Sequence, residues 1–300
     1  MPASEVAVFE GFKKNNPQLA RMLEARLYTN MGKGLVNRFT GHEKVVSENA
    51  VIISDVHLPT TNWALCQRVI EIGKKHDIRK LLIVGDLVNF DEISTHVKVK
   101  RAIPIDIEIE TMQAVLREFG ETFTDGIVLC MGNHEDRLLR LLGGLITYEQ
   151  YIGIVIGAYG SIADATEVDS FTARIGEAKT SNVTFSPYHY MELWTKRKKW
   201  LLAHPRNYSR IPLRVANQLS LLHEMSVMTA HEHHLARGVS DNGKHEIINM
   251  GGLFDSDKMA YVMLAKSTMR RMHGGFVVVK DGFAHVLSAD ENMTNWNMWE

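Results

Sequence analysis

The 300-residue chain has only two cysteines, no apolar run of membrane-spanning length and almost no net charge. Each scarcity removes a class of explanation. Cys66 and Cys130 fall in a helix-like and a strand-like segment, so buried free thiols in a reducing compartment are expected rather than a disulfide framework. The longest apolar stretch, Ile152 to Tyr159, covers about eight residues and is broken by Gly153 and Gly157, whereas a membrane span needs about 20. Met1 to Phe12 has no basic segment followed by an apolar one, so no signal peptide and a cytoplasmic location are expected. A formal net charge of -1, from 34 Lys plus Arg against 35 Asp plus Glu, argues against a cationic coat for nucleic acid but leaves room for a local basic groove. There is no internal repeat and no low-complexity segment. What remains is an ordinary globular composition, long enough for one large α/β domain or two small ones.

Residues 1–48 read as an N-terminal helical extension. Leu19, Met22, Leu23 and Leu27 recur at helical spacing, and Gly32 and Gly34 close the segment. Its basic residues, among them Lys13, Lys14, Arg21 and Arg38, face solvent or serve a dimer or nucleic-acid contact. Residues 49–290 read as the main domain. Val51–Ile53, Leu81–Val84 and Ile127–Met131 are wholly apolar, as strands buried on both faces are. Helical patterns over Trp63–His76 and Ile107–Phe119 separate them, and this alternation predicts a layered α/β fold. In such sheets functional groups gather beyond the carboxyl ends of strands. Residues 144–180, rich in glycine, read as an insertion over the site or along its edge. Strands at Asn182–Phe185 and Trp200–Ala203 follow, then a helix at Pro212–His223 and a strand at Val227–Thr229. Two hairpins follow, His234–Val239 with Glu246–Met250 and Gly275–Val279 with Phe283–Leu287. The tail, 291–300, carries Trp296 and Trp299, which pack on the body or form an oligomer contact.

Polar clusters stand where those strands end. They are Asp55-Val56-His57, Gly85-Asp86-Leu87-Val88-Asn89, Gly132-Asn133-His134-Glu135, the single His204, and His231-Glu232-His233. Taken singly, Asp55 is an ordinary turn or cap residue, Gly85-Asp86 a loop start and His204 a satisfied or exposed imidazole. Taken together and in order, they supply oxygen and nitrogen ligands for two divalent metals. Asp86 suits a bridging anion. Asp55 with His57, and His231 with His233, have the two-residue spacing that lets both side chains turn toward one ion. Asn133 adds a carbonyl oxygen and His204 an imidazole. Two carboxylates against two dications leave a positive centre suited to a phosphate, and paired metals lower the pKa of a shared water to roughly 7.

This order resembles the calcineurin-like metallophosphoesterases, whose pattern runs D-x-H, G-D-x-x-D/N, G-N-H-E/D, a lone His after a strand, then G-H-x-H. It is met here over residues 50 to about 235, with Ala230 in place of the last motif's glycine. That change is harmless if the backbone there has negative φ. The resemblance implies a two-sheet β-sandwich flanked by helices in a four-layer αββα order. It implies a phosphoesterase in which a metal-bound hydroxide attacks phosphorus. Asp55, His57, Asp86 and His233 would hold one metal, and Asp86, Asn133, His204 and His231 the other. His134 would lie by the leaving oxygen, donating a proton or stabilising charge, and so joins Asp86 as a catalytic residue. The implied cofactors are two divalent ions, Mn foremost, with Fe, Zn, Ni or Co also fitting this donor set.

Protein Ser/Thr phosphatases of that family carry D-R-G after the bridging Asp and R-G-N-H-E at the third motif. Here Asn89-Phe90-Asp91 and Met131 stand instead, so both arginines are absent. The chain looks more like phosphodiesterase and nuclease branches with G-N-H-E-D-R-L. Substrate-binding candidates are Asn89, Arg137, Arg206, Tyr208 and Arg210, with a salt bridge to Asp136 or a neighbour as the other use of Arg137. Lys196-Arg197-Lys198-Lys199, between Trp194 and Trp200, is either a solvated turn or a nucleic-acid track. Lys98, Lys100, Arg101, Arg270 and Arg271 extend the basic material. The expected substrate is a phosphodiester in nucleic acid (DNA or RNA) or a nucleotide. The alternatives are a phosphomonoester of a small metabolite or protein, and a metal-bound interaction module with little turnover. No membrane partner is expected, and a homo-oligomer is left open.

Overall fold

Short apolar strands and amphipathic helices alternate along the chain, and in the computed structural model they build two facing sheets. The structure describes residues 43–94, 102–141, 151, 154, 182–186, 188–268 and 272–290. One sheet runs β1 (Lys44–Val46), β6 (Tyr190–Trp194), β7 (Lys199–Ala203), β8 (Ser226–Thr229), β10 (Glu246–Met250), β9 (Leu235–Val239). The other runs β12 (Phe283–Ser288), β11 (Gly275–Lys280), β2 (Ala50–Ile53), β3 (Leu81–Val84), β4 (Ile127–Cys130), β5 (Val183–Ser186). Strands β2 to β5 are parallel, with β11 and β12 added antiparallel beyond β2. Parallel neighbours need long crossovers, and α1 (Trp63–Lys75) and α2 (Ile105–Thr122) lie in the first two of them.

The wholly apolar strands follow from burial on both faces. Ala50, Ile52, Leu82, Val84, Val128 and Cys130 pack toward Met191, Leu193, Trp200, Leu202, Met228 and Ile248 of the opposite sheet. Their alternates, Val51, Ile53, Leu81, Ile83, Ile127 and Leu129, meet Leu65, Val69 and Ile72 of α1 and Met112, Leu116 and Phe119 of α2. Across the second sheet, Leu201, Val227 and Ile247 meet Ala216 and Leu219 of α4 (Arg214–His223). The layers are therefore helix, sheet, sheet, helix, the αββα order expected. Each fully buried Leu, Ile or Val contributes about 1.5–3 kcal/mol of transfer energy, which is what holds the strand ends in place for the site. The Asn62 side chain caps α1 by accepting from Leu65 N at 3.3 Å, and Lys74 and Lys75 occupy its last turn, where cations suit the helix dipole.

Among the elements not foreseen are β1, β6 and α3 (Asn133–Leu141). Strand β1 is a three-residue edge with only Val45 inward, too short for a pattern. Helix α3 starts two residues after β4, so its polar first turn reads as loop. The basic run Lys196–Lys199 is the turn of the β6–β7 hairpin, closed by Thr195 N to Lys198 O at 3.0 Å. It lies at the opposite end of β7 from His204. Lys198 pairs with Glu246 at 2.7 Å, and Arg197 lies over the Phe283 ring at 3.8 Å, so the run is engaged locally and does not line the polar clusters. Cys66 and Cys130 are free and buried, as expected. Among the described residues no helix is long and apolar enough to cross a membrane. The expected helix within 1–42, most of the 144–180 insertion, Lys98, Lys100, Arg101, Arg270, Arg271, Trp296 and Trp299 lie outside the described residues.

Candidate metal centre

All five clusters meet at the carboxyl ends of β2, β3, β4, β7 and β8. The turns that end β2, β3 and β8 share one backbone device. Asp55, His57, Asp86, His231 and His233 have φ of 47°, 51°, 52°, 74° and 53°. Non-glycine residues in this left-handed region carry about 1–3 kcal/mol of strain each, which persists where the surroundings over-determine it. Here Val56 N and His57 N donate to Asp86 O at 2.9 and 3.0 Å, and Asp55 N donates to Gly85 O at 3.2 Å. The β2 and β3 turns are thereby locked together. Gly132 permits the third turn to join them: a Cβ there would stand 2.1 Å from Asp86 Oδ1. Ala230 lies outside the positive-φ set, so alanine meets no backbone penalty at that position.

The side chains form two groups about one oxygen. Asp55 Oδ1, His57 Nε2 and His233 Nε2 face one another, with His57 to His233 at 3.3 Å, His233 to Asp55 at 3.1 Å and His57 to Asp55 at 3.8 Å. In the second group His204 Nε2 lies 3.0 Å from Asn133 Oδ1 and 3.3 Å from Asp86 Oδ2, and His231 offers a further ligand atom within 4.8 Å of His204 and Asp86. The same Asp86 Oδ2 lies 4.0 Å from His57 Nε2 and so touches both groups. Ligands roughly 2.0–2.1 Å from a tetrahedral ion stand about 3.4 Å from each other. The observed separations of 3.0–4.0 Å suit ligands that would share an ion, and the donor set fits divalent metal ions. His204 Nδ1 is 3.0 Å from Val84 O, a contact that directs its Nε2 lone pair into the site.

Burial and proximity set the charges. Burial opposes ionisation of Asp86, but His134 and His204 beside it hold its carboxyl well below the usual range. Burial likewise opposes Asp55, but His233 overrides it and takes the group to about 2. Burial and the nearby His134 push His57 well below its ordinary value, and burial with His204 takes His231 to about 4. Burial would lower His204 too, yet Asp86 dominates and lifts it to about 10. Asp55 and Asp86 are thus anionic and His57 and His231 neutral, the forms in which these groups ligate metals, whereas His204 would give up a proton to do so.

Two buried carboxylates that were assigned no role hold this arrangement. Glu135, 1% exposed, accepts from Asp86 N (3.0 Å), Leu87 N (2.8 Å), Val88 N (3.3 Å) and Gly132 N (2.8 Å). Its only trace in the sequence is the final letter of G-N-H-E. Glu108 of α2 accepts from Phe90 N and, at 3.3 Å, from Asp91 N, anchoring the segment beyond Asn89. Nothing adjacent in sequence marks it. Burial pushes Glu108 from 4.5 up to about 8, although both N–H groups favour its charge. A carboxyl whose folded value is raised contributes stability that is full below about pH 4.5 and is lost as pH rises through about 8. Glu108→Gln cannot ionise and should remove that slope. The wild-type advantage in Tm over the variant is expected to shrink between about pH 5 and about pH 9. A gap independent of pH in thermal melts would contradict this.

The residues expected at the substrate separate into different situations. Asn89 is buried and presents its backbone oxygen: His134 Nδ1–H donates to it at 2.6 Å. His134 Nε2 then faces Asp86 Oδ2 at 3.7 Å. Arg137 Nη1 lies 3.4 Å from Asn89 O and 3.3 Å from His134 Nδ1, so its head reaches this corner. Asp136 takes Arg206 (2.8 Å), Arg140 (2.9 Å) and His189 (3.2 Å), so Arg206, still largely exposed, is paired with a carboxylate beside the site. Tyr208 is exposed with its ring 6.4 Å from that of His231, and Arg210 is exposed on the same loop.

A protein-family model described as calcineurin-like phosphoesterase matches residues 49–235. No protein of curated description matches the chain. Solved structures similar to it include Yfce, a phosphoesterase from E. coli, at 12% identity, covering 79% of this chain and 96% of that one with a TM-score of 0.38. Nuclease MPE from Pseudomonas putida matches at 15% identity, with 79% and 87% covered and a TM-score of 0.31. A dimetal phosphatase from Danio rerio matches at 10% identity, with 80% and 98% covered and a TM-score of 0.37. Likenesses at that level carry no argument about activity. The family model spans more than half of the chain and agrees with the clusters just described, and the protein therefore belongs to the calcineurin-like phosphoesterase family.

Proposed function

We propose that the protein is a binuclear metal-dependent phosphodiesterase acting on nucleic acid or nucleotides in the cytoplasm. The observation that carries the reading is Asp86 Oδ2, shared between His57 Nε2 at 4.0 Å and His204 Nε2 at 3.3 Å, each the centre of its own ligand group. Asp55, His57, Asp86 and His233 would hold one ion, and Asp86, Asn133, His204 and His231 the other. When bound, two such ions neutralise phosphate oxygens and lower the pKa of an attacking water to roughly 7. Manganese suits this oxygen and imidazole set, as do iron, zinc, nickel and cobalt.

His134 is oriented by Asn89 O, so a proton delivered to the leaving oxygen passes through Nε2. Burial holds its imidazole near 4, and an anionic substrate beside it supplies the charge that favours the protonated form. Arg137, at the same corner, would meet a phosphate oxygen. The diester preference is supported by the residues flanking the metals. Phe90 and Met131 occupy the positions where paired arginines would grip a phosphomonoester dianion. The cytoplasmic location is supported by the two buried free thiols.

Hydrolysis of bis-p-nitrophenyl phosphate and p-nitrophenyl phosphate, each with Mn²⁺, tests the reading. The diester should show kcat/KM higher by about tenfold or more, a difference of at least about 1.4 kcal/mol in transition-state binding. The reverse preference would favour a phosphomonoesterase. Stoichiometric metal without turnover of either substrate would favour an interaction module. Binding of single-stranded DNA or RNA that weakens with salt would support the polymer form of the substrate.

A further inference from the structure

The loop from β7 to α4 carries Arg206, Tyr208 and Arg210, with the Tyr208 ring 6.4 Å from that of His231, yet residues 206–208 and 210–212 are exposed and give it little apolar anchorage. Its backbone is fixed from beneath by two buried side chains outside the metal-ligand set. Glu232 stands between His231 and His233 and is 1% exposed. Its Oε1 accepts from Ser209 N at 2.9 Å, and its Oε2 accepts from Asn249 Nδ2 at 3.0 Å. Asn249, on β10 and also 1% exposed, donates from Nδ2 to Thr229 Oγ1 at 2.6 Å. Its Oδ1 accepts from Leu213 N at 2.5 Å, just where the chain takes a φ of 64° to enter α4. Ser209 Oγ then accepts from Ile211 N at 3.0 Å, closing the loop upon itself.

We propose that Glu232 and Asn249 form a clamp that positions this loop at the mouth of the metal site and thereby sets affinity for the phosphoester; the inference rests on the function proposed above and deepens it. The clamp has a strict polarity. Ser209 N and Leu213 N can only donate, so residues 232 and 249 must each offer an acceptor upward. Between themselves one must donate and the other accept. Glu232 with Asn249 satisfies this. Glu232→Gln alone turns two amide NH2 groups toward each other, and Asn249→Asp alone turns two carboxylates toward each other, leaving buried groups unsatisfied. The double variant Glu232→Gln/Asn249→Asp restores each of these four bonds, with the roles between residues 232, 249 and 229 exchanged. The introduced amide at position 232 donates to the introduced carboxylate at position 249, and the Thr229 hydroxyl turns to donate to the same oxygen.

Hydrogen exchange at the Ser209 and Leu213 amides, read on the full chain together with steady-state kinetics on bis-p-nitrophenyl phosphate, tests the clamp. Each single variant should exchange faster at both amides and raise KM by about tenfold, with kcat changed less than about threefold. The double variant should return exchange and KM toward wild type, which a mere loss of packing would not allow. Unchanged exchange or unchanged KM in the single variants would overturn the clamp, as would a double variant no better than either. A wild type that turns over no phosphoester would instead overturn the proposed function, and the exchange pattern would still decide the clamp.

Discussion

Asp86→Asn is expected to reduce kcat/KM by on the order of 10³-fold or more, beyond the 10–100-fold typical when a group behind a metal ligand is lost. The substitution is nearly isosteric. Asn can keep the oxygen that accepts from His134 N at 2.9 Å, so the start of α3 should stay in place. What changes is the other atom. An amide nitrogen would replace Oδ2, the oxygen that lies 3.3 Å from His204 Nε2 and 4.0 Å from His57 Nε2. It cannot ligate a cation, and the negative charge between the two groups disappears. Metal content per chain should fall in step with activity while circular dichroism stays at wild type. His204, lifted to about 10 by Asp86 against its burial, should titrate markedly lower in metal-free Asp86→Asn by NMR. Retained turnover with full metal content would remove Asp86 from the bridging role.

Glu135→Ala should be the most destabilising single change near the site. Four backbone N–H groups, of Asp86, Leu87, Val88 and Gly132, converge on this one carboxylate. Deleting it leaves them buried without their acceptor, at about 1–3 kcal/mol for each group that water cannot reach. Even partial relaxation leaves a loss of about 4 kcal/mol, a large share of the 5–15 kcal/mol of a typical domain. Glu135→Gln should fall between, because one amide oxygen can serve only part of the set. Urea unfolding midpoints for the three proteins would order them wild type, Gln, Ala. A Glu135→Ala midpoint within error of wild type would show that the two turns hold together without it. Metal affinity should fall too, since the turn that Glu135 pins carries Asp86.

How much of this was legible in the chain varies with the distance over which each interaction acts. The parallel strands were readable because burial on both faces demands uninterrupted apolar residues, and Leu81–Val84 was bounded correctly from that alone, while Glu246–Met250 was bounded from the hairpin turn at Asp241-Asn242-Gly243. The candidate ligand set was readable because each member follows a strand and all but His204 keep a short local spacing. Edge strand β1 and helix α3 were not, because neither buries enough residues in sequence to leave a period.

The sequence by itself determined the kinds of donor atoms, their order and the strand ends that present them, since these depend on residue identity and local periodicity. Only the tertiary structure decided which atoms face one another. It brought Asp55 and His233 to 3.1 Å across 178 positions, turned five ligand candidates into left-handed backbone, and paired Arg206 with Asp136. It also revealed Glu108, Glu135, Glu232 and Asn249 as supports. Their partners are backbone N–H groups and distant side chains, and such contacts exist only once the sheets have packed.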